Sequence, residues 1–262
     1  MLEFSKTKSL KKQWFGKIVL AIEKIELRAE ETNPVQAMFN AVAPRYDLLN
    51  RLLSIGIDRH WRKVAVREFE PLENKKYLDM ATGTADVALE FAKIHSKTSQ
   101  IIGIDFSFSM LKLGRQKILT NSFSKRIKLV PGAAENIPLK DHTFDGAITA
   151  FGVRNFLDAQ KGLKEIYRIL KPNGKIVVLE FSFPKNGFLN KIYRFYFEKI
   201  LPFLGRIISG HKNAYSYLPA SVISFPQGEA FNELLECSGF KSVSMKSMTF
   251  GIVTIYTGIK NA

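Results

Sequence analysis

The chain has 262 residues, enough for one α/β domain with additions and a substantial core. Its 39 Lys and Arg outnumber 24 Asp and Glu, giving +15, a balance that suits nucleic acid or an anionic membrane surface, or else a solvated lysine surface. The single cysteine, Cys237, excludes an intrachain disulfide and a cysteine-rich metal site; His60, His95, His142 and His211 lack ligand spacing, so no metal is expected.

The opening segment, Met1 to about Glu31, is lysine-rich around Lys6, Lys8, Lys11, Lys12 and Lys17, with a short apolar core at Ile18–Ile22. That core is too short for a signal peptide, and five glutamates argue against a transit peptide. No apolar run approaches the roughly 18 residues of a membrane span. The segment reads as an amphipathic helix, either a simple helical cap or a membrane-surface contact. Asn33-Pro34 marks the boundary, leaving a basic arm at 1–33 and one domain at 34–262. Within that domain, 34–70 is expected to form a helical lid with an apolar stripe in Tyr46–Leu53.

Strands are predicted at Lys76–Met80, Gln100–Asp105, Ile127–Val130, Phe144–Ala150 and Lys175–Phe181. Helices are expected between them at about Ala85–Ile94, Ser109–Leu119 and Asp158–Leu170, the last stopped by Lys171-Pro-Asn-Gly174. Residues 188–228 break this rhythm as an aromatic helical insertion. Its first part is either a core helix pair broken at Pro202 or a greasy lid, with Lys191, Arg194, Lys199 and Arg206 suited to anionic headgroups. A helix near Ala230–Cys237, with Cys237 buried, precedes two short strands, Ser242–Met248 and Ile252–Ile259, too close for a crossover. The alternation predicts an α/β fold: a doubly wound, mostly parallel sheet with an antiparallel C-terminal hairpin and a helical N-terminal lid.

The most informative stretch is Tyr77-Leu-Asp-Met-Ala-Thr-Gly-Thr-Ala-Asp86, followed by a second strand that ends on Asp105. A strand, a small-residue turn, a helix and a spaced acid suit a nucleoside cofactor lying across two strand ends. Ala81, Gly83 and Ala85 alternate where a dinucleotide fold wants G-x-G-x-x-G, and no phosphate-gripping lysine is present. A cofactor without phosphates fits better, and S-adenosylmethionine is the obvious one. Gly83 and Thr84 then approach its methionine portion, Asp105 takes the ribose hydroxyls, and Asp79 orients the loop or holds the amino group. Gly132-Ala-Ala-Glu135 borders the adenine. Asp105 has a second reading, as a helix cap before Ser107–Leu111.

Three further segments make the chain resemble the UbiE/MenG family of quinone C-methyltransferases: Tyr46-Asp-Leu-Leu-Asn50 through His60-Trp61, Phe151-Gly-Val-Arg-Asn155, and Arg168 through Ser182. The similarity runs from about Val35 to Ile259. It implies a class I S-adenosylmethionine-dependent methyltransferase fold and methyl transfer to a ring carbon of a polyprenylated quinol. Cofactor contacts carry over to Thr84, Asp105 and the Ala133-Ala134 pair. A further contact, commonly serine, falls on Ala150, where that side-chain bond cannot form. Thr82 and Ala85 stand where many members have glycine, Leu49 where methionine is usual, Asp58 where histidine is common, and Asn173 where glycine ends the turn.

The reaction needs a reduced ring, since deprotonating a quinol hydroxyl makes the neighbouring carbon nucleophilic. Arg154 stays charged, so it is expected to stabilise the phenolate and orient a water, or else to pair with a surface carboxylate. Asn155 is expected to hydrogen-bond a quinol oxygen. Tyr46 and Asp47 come from the lid, with Asp47 an alternative proton acceptor, or they serve in capping and packing. His60 is expected to be packed or exposed, not catalytic. Demethylmenaquinol is preferred over a methoxy-polyprenyl benzoquinol on family breadth alone. The expected location is cytoplasmic, with peripheral contact at the inner face of the cell membrane. A homodimer stays open, and nucleic acid is not an expected partner. The rivals are an RNA methyltransferase, disfavoured because Phe151–Asn155 is not an Asn-Pro-Pro-Tyr type and Cys237 has no proline before it, and a non-catalytic cofactor-binding scaffold.

Overall fold

A computed structural model describes residues 34–95, 97–200 and 214–262. The expectations for the arm at 1–33, and for Pro202, Arg206 and His211, fall outside those residues. The chain divides into units Met1–Met38 and Phe39–Ala262, and all contacts given below lie in the second.

Two helices come first, α1 (Pro34–Leu53) and α2 (Asp58–Val66). The alternating series follows: β1 (Lys76–Met80), α3 (Asp86–Ile94), β2 (Gln100–Asp105), α4 (Phe108–Thr120), β3 (Ile127–Pro131), β4 (Phe144–Ala150), α5 (Ala159–Ile169) and β5 (Leu170–Phe181). The insertion supplies α6 (Gly187–Phe195), a π turn at Tyr196–Ile200, and α7 (Ala214–Ser224). Helix α8 (Glu229–Cys237), β6 (Lys241–Met248) and β7 (Val253–Ile259) close the chain.

The seven strands lie in the order β3-β2-β1-β4-β5-β7-β6. The first five are parallel, while β7 runs antiparallel between β5 and β6. Alternation along the chain dictates this arrangement, because each parallel pair needs a helical crossover. Strand order reverses between β1 and β4, so their C-terminal ends flank the crevice where open α/β sheets bind ligands. One face of the sheet buries Trp61, Ala88, Phe91 and Ile118, from α2, α3 and α4. The other buries Leu163, Ile166, Phe231 and Leu235, from α5 and α8.

Local signals place several boundaries. Ser107 caps α4 by accepting from the Met110 N–H at 3.3 Å, and Asp158 caps α5 by accepting from Lys161 at 2.9 Å. The expected break between α5 and β5 is absent: β5 begins at Leu170, and Lys171–Gly174 bulges between the pairs Phe144–Leu170 and Gly146–Lys175. Asn173 takes the left-handed conformation of the bulge, φ 63°. The chain can pass directly from helix to strand because Lys260 Nζ donates to the carbonyls of Tyr167, Arg168 and Leu170, satisfying the helix end. Cys237 is exposed, correcting the expectation that it is buried. Helix α8 buries Phe231 and Leu235, one turn apart, and Cys237 lies about 200° round the helix from Leu235.

Candidate active site

The turn after β1 places left-handed backbone at every second position. Ala81, Gly83 and Ala85 have φ of 57°, 55° and 65°. Alanine tolerates this region at a cost, so the spacing seen in the sequence corresponds to a real backbone demand. The turn is locked by Thr82 N–H to the Ile104 carbonyl and Ala85 N–H to the Thr82 carbonyl, both 2.9 Å. Gly152 must be glycine, since a Cβ there would lie 2.5 Å from the Ala81 Cβ.

Two carboxylates lie at this turn. Asp105 accepts from the Gly83 and Ser107 N–H groups, both at 2.8 Å. Burial pushes its carboxyl up to about 6, against the pull of those backbone donors. Asp79 accepts from Thr82 Oγ1 at 2.5 Å and from Ala88 N–H at 3.1 Å, while its Oδ1 is buried without a partner. Burial, aided by the Asp105 charge, raises it to about 7. Buried acids at a turn of close backbone approach repel phosphates and suit a cation and hydroxyl donors. The residues present therefore fit S-adenosylmethionine, whose sulfonium is positive and whose ribose offers a diol. Asp105 fixes the turn at Gly83 and the entry to α4 at Ser107.

The lid helix reaches the same turn. A Cβ on Gly83 would lie 4.0 Å from the Tyr46 ring. Asp47 Oδ1 accepts from Thr84 Oγ1 at 2.6 Å, and its Oδ2 lies 2.5 Å from Lys117 Nζ. Lys117 also donates to Thr84 Oγ1 (2.9 Å) and to Asp86 (2.7 Å). Asp86 in turn meets Arg51 at 2.6 Å, and Arg51 and Arg62 both pair with Asp58. Burial opposes ionisation of Asp86, but Arg62, Lys117 and Arg51 outweigh it and hold its carboxyl down to about 2. Three cations and three acids thus tie α1 and α2 to α3 and α4. Asp58, where the resemblance leads one to expect histidine, is the acid shared by Arg51 and Arg62. His60 is exposed, and the neighbouring Trp61 is buried with its indole N–H on Thr249 Oγ1 at 2.8 Å.

A second group lies past β4, on a 3-10 turn at Val153–Asn155. Arg154 pairs with Glu180 at 2.6 Å, with side-chain exposures of only 6% and 2%, so the partner is a buried carboxylate and not a surface one. Arg154 also donates to the Phe151 carbonyl at 2.6 Å. Asn155 donates to that carbonyl at 3.2 Å and accepts from the Tyr217 hydroxyl of α7 at 3.0 Å. Phe151 joins the two groups: its carbonyl serves Arg154 and Asn155, and its ring lies 5.6 Å from the Arg62 guanidinium carbon. Phe181, Phe183, Tyr193 and Phe197 continue an aromatic cluster from this point into the insertion.

The structure therefore brings Tyr46, Asp47, Asp79, Gly83, Thr84 and Asp105 together, and Arg154 and Asn155 follow Gly152, which packs on Ala81 of the same turn. Ala150 ends β4 and packs on the core. Ala134 is buried and Ala133 exposed, after β3. Sequence reasoning missed Glu180, Lys117, Asp86 and Tyr217. Glu180 had a signal, a charged residue in the apolar run Ile176–Phe181. Among the described residues no group of His, Cys, Asp and Glu suits a metal ion.

A model of the ubiE/COQ5 methyltransferase family matches residues 26–260. A ubiquinone/menaquinone biosynthesis C-methyltransferase of Geotalea daltonii is 47% identical over 231 residues, covering 88% of this chain and 98% of its own. A demethylmenaquinone methyltransferase of Deinococcus radiodurans is 41% identical over 233 residues, covering 89% and 95%. Among solved structures, a SAM-dependent methyltransferase from Thermotoga maritima superposes with a TM-score of 0.62 at 20% identity, covering 86% of this chain and 99% of that one. That likeness is one of fold.

Proposed function

The chain belongs to the ubiE/COQ5 methyltransferase family, and we propose that its substrate is demethylmenaquinol, methylated at a ring carbon to give menaquinol. The enzyme is an S-adenosylmethionine-dependent quinone C-methyltransferase. When bound, the cofactor supplies an electrophilic sulfonium methyl group. Asp105, Asp79, Gly83 and Thr84 are the residues that hold it, with Ala133 and Ala134 beside the adenine and Ala150 at the strand end. The observation that carries the reading is the closeness of that turn to the loop bearing Arg154 and Asn155, where a Cβ on Gly152 would lie 2.5 Å from that of Ala81.

Arg154 faces the developing phenolate with a permanent charge, while Asn155, held by Tyr217, orients a quinol oxygen. Tyr46 and Asp47 cover the cofactor turn and exclude water from it. Exposed Phe188, Ile192 and Phe195 on α6, interleaved with Lys191 and Arg194, support peripheral contact with an anionic membrane at the inner face of the cell membrane, where the quinol resides. C-methylation of a 2-methoxy-6-polyprenyl benzoquinol is the second substrate reading, supported by the Geotalea relative, whose name covers ubiquinone as well as menaquinone biosynthesis.

The test is transfer from labelled S-adenosylmethionine to reduced short-tail demethylmenaquinol, to the reduced benzoquinol precursor and to a structured RNA. Label in the naphthoquinol is expected, and comparing the rings decides the pathway. Label in RNA alone overturns the reading. Cofactor binding with no transfer to either ring points to a non-catalytic scaffold.

A further inference from the structure

The Arg154 group contains a proton-binding site that its ion pair does not use. Glu180 is 1% exposed at the end of β5. Its Oε1 accepts from Arg154 Nη1 at 2.6 Å and from Phe181 N–H at 3.0 Å, whereas Oε2 is buried and has no hydrogen-bond partner. Among the described residues one other buried carboxylate oxygen is in that state, Asp79 Oδ1, and it belongs to the cofactor turn. Asp47 has both oxygens engaged, one by Thr84 and one by Lys117. A bare buried carboxylate oxygen is costly to retain, which gives it the character of a functional group.

We propose that Glu180 is the proton acceptor of the reaction, its Oε2 taking the quinol hydroxyl proton and leaving Arg154 as an uncompensated cation beside the phenolate. The role rests on the quinol reading above. In the step, the quinol O–H bond breaks, its electron pair stays on oxygen, and the proton bonds to Oε2. After the ring carbon has gained its methyl group and released its own proton to water, Oε2 returns its proton to the same oxygen. One proton leaves per turnover and Glu180 ends as it began.

Charge explains the pairing. Before transfer the Arg154–Glu180 pair is neutral; afterwards the neutral carboxyl leaves a full guanidinium charge opposite one phenolate. The proton transfer itself therefore adds no net charge to the buried site, which low polarity would penalise. The groups facing this pair are Tyr217 from α7, Tyr256 from β7 and Tyr193 from α6. Burial raises all three tyrosines, so they remain neutral hydroxyls, and Arg154 remains charged. Burial also raises Glu180 against the pull of Arg154. Glu180 is therefore the member of the cluster that can take up a proton.

Glu180→Gln keeps an oxygen for Arg154 and Phe181. It is expected to lower kcat by about 100-fold or more, with the dissociation constant of S-adenosylhomocysteine, read by calorimetry, and the quinol KM little changed. The deficit is expected to shrink at least about tenfold with a halogenated quinol, whose more acidic hydroxyl needs less help from a base. A residue that only positions Arg154 costs the same with either quinol. An unchanged kcat, or an equal deficit with both, overturns the proposal. Should that variant not fold, infrared difference spectra of wild-type protein decide the matter. Adding the halogenated quinol to the S-adenosylhomocysteine complex is expected to convert a carboxylate band into a protonated carboxyl band, and no such band overturns it. Wild-type protein that methylates no quinol refutes the proposed function itself, a failure visible before any variant is made.

Discussion

Asp79 and Asp105 are held at the cofactor turn by hydroxyl and backbone donors alone. Burial is the main reason their carboxyls rise, to about 7 and about 6. A carboxyl whose folded value exceeds its ordinary one binds protons more tightly when folded. Its stabilising contribution is present below about pH 4 and is lost as pH rises through the folded value. For Asp79 the loss is on the order of 4 kcal/mol as an upper bound, at about 1.4 kcal/mol per pH unit. Asp79→Asn is therefore expected to melt higher than wild type at pH 8 without cofactor, with the advantage vanishing toward pH 4. The bound sulfonium favours the ionised acid, so S-adenosylmethionine should stabilise wild type more than the variant. Calorimetry with and without cofactor checks both; equal melting of the two proteins at pH 8 would refute the first.

At the scale of elements, Asp58 joins α1 to α2 by serving Arg51 and Arg62 together, and it also accepts from Ser54 Oγ at 2.9 Å. Its side chain is 4% exposed and that of Arg62 is 9%, so removing the carboxylate leaves a buried guanidinium with Asp86 only at 4.0 Å. Asp58→Ala is expected to cost roughly 3 kcal/mol, the low end for a broken buried pair, since Arg51 keeps Asp86. Urea denaturation reads the loss. Cofactor affinity should weaken in parallel, because Asp47 and Lys117 reach the turn from helices that this network joins. A shift in urea midpoint with unchanged cofactor affinity would separate lid anchoring from cofactor binding.

Those ion pairs also mark the boundary of what the sequence discloses. Strands β1, β2 and β4 were legible to the residue because each is an apolar run ended by turn chemistry, and alternation with helices leaves few topologies. The turn was legible from its run of small residues directly after an apolar strand. Arg51–Asp86 and Arg154–Glu180 were not, being 35 and 26 positions apart. Spacing along one helix says nothing about which side chain of another helix or strand it will meet. The direct join of α5 to β5 escaped for the same reason: it depends on Lys260, from the far end of the chain.

The whole molecule carries +15, and α6 exposes large apolar side chains among its basic ones. Phe188 is 73% exposed and Phe195 62%, one face of α6 apart by two turns, with Ile192 between them at 53%. Phe250 is 82% exposed at the β6–β7 tip. The tip is held by three successive left-handed residues, Thr249, Phe250 and Gly251, and a Cβ on Gly251 would lie 3.0 Å from Pro184, at the entry to the insertion. Antiparallel pairing of Phe181 with Val253 sets this tip at the C-terminal end of β5, the end that carries Glu180 and Arg154. A lipid surface meeting Phe188, Phe195 and Phe250 would therefore meet the protein beside its reactive groups, sparing the quinol a long passage through water. Each basic residue near an anionic surface contributes about 1 kcal/mol and each inserted aromatic roughly 1.5–3 kcal/mol. Flotation is expected with anionic vesicles at low salt and is expected to weaken as salt screens the charge. Replacing Phe188 and Phe195 together by serine should reduce binding at least about tenfold, with no change in melting temperature because both side chains already face solvent. Undiminished flotation of that variant would show that charge alone attaches the protein, and that α6 is not the surface through which the quinol enters.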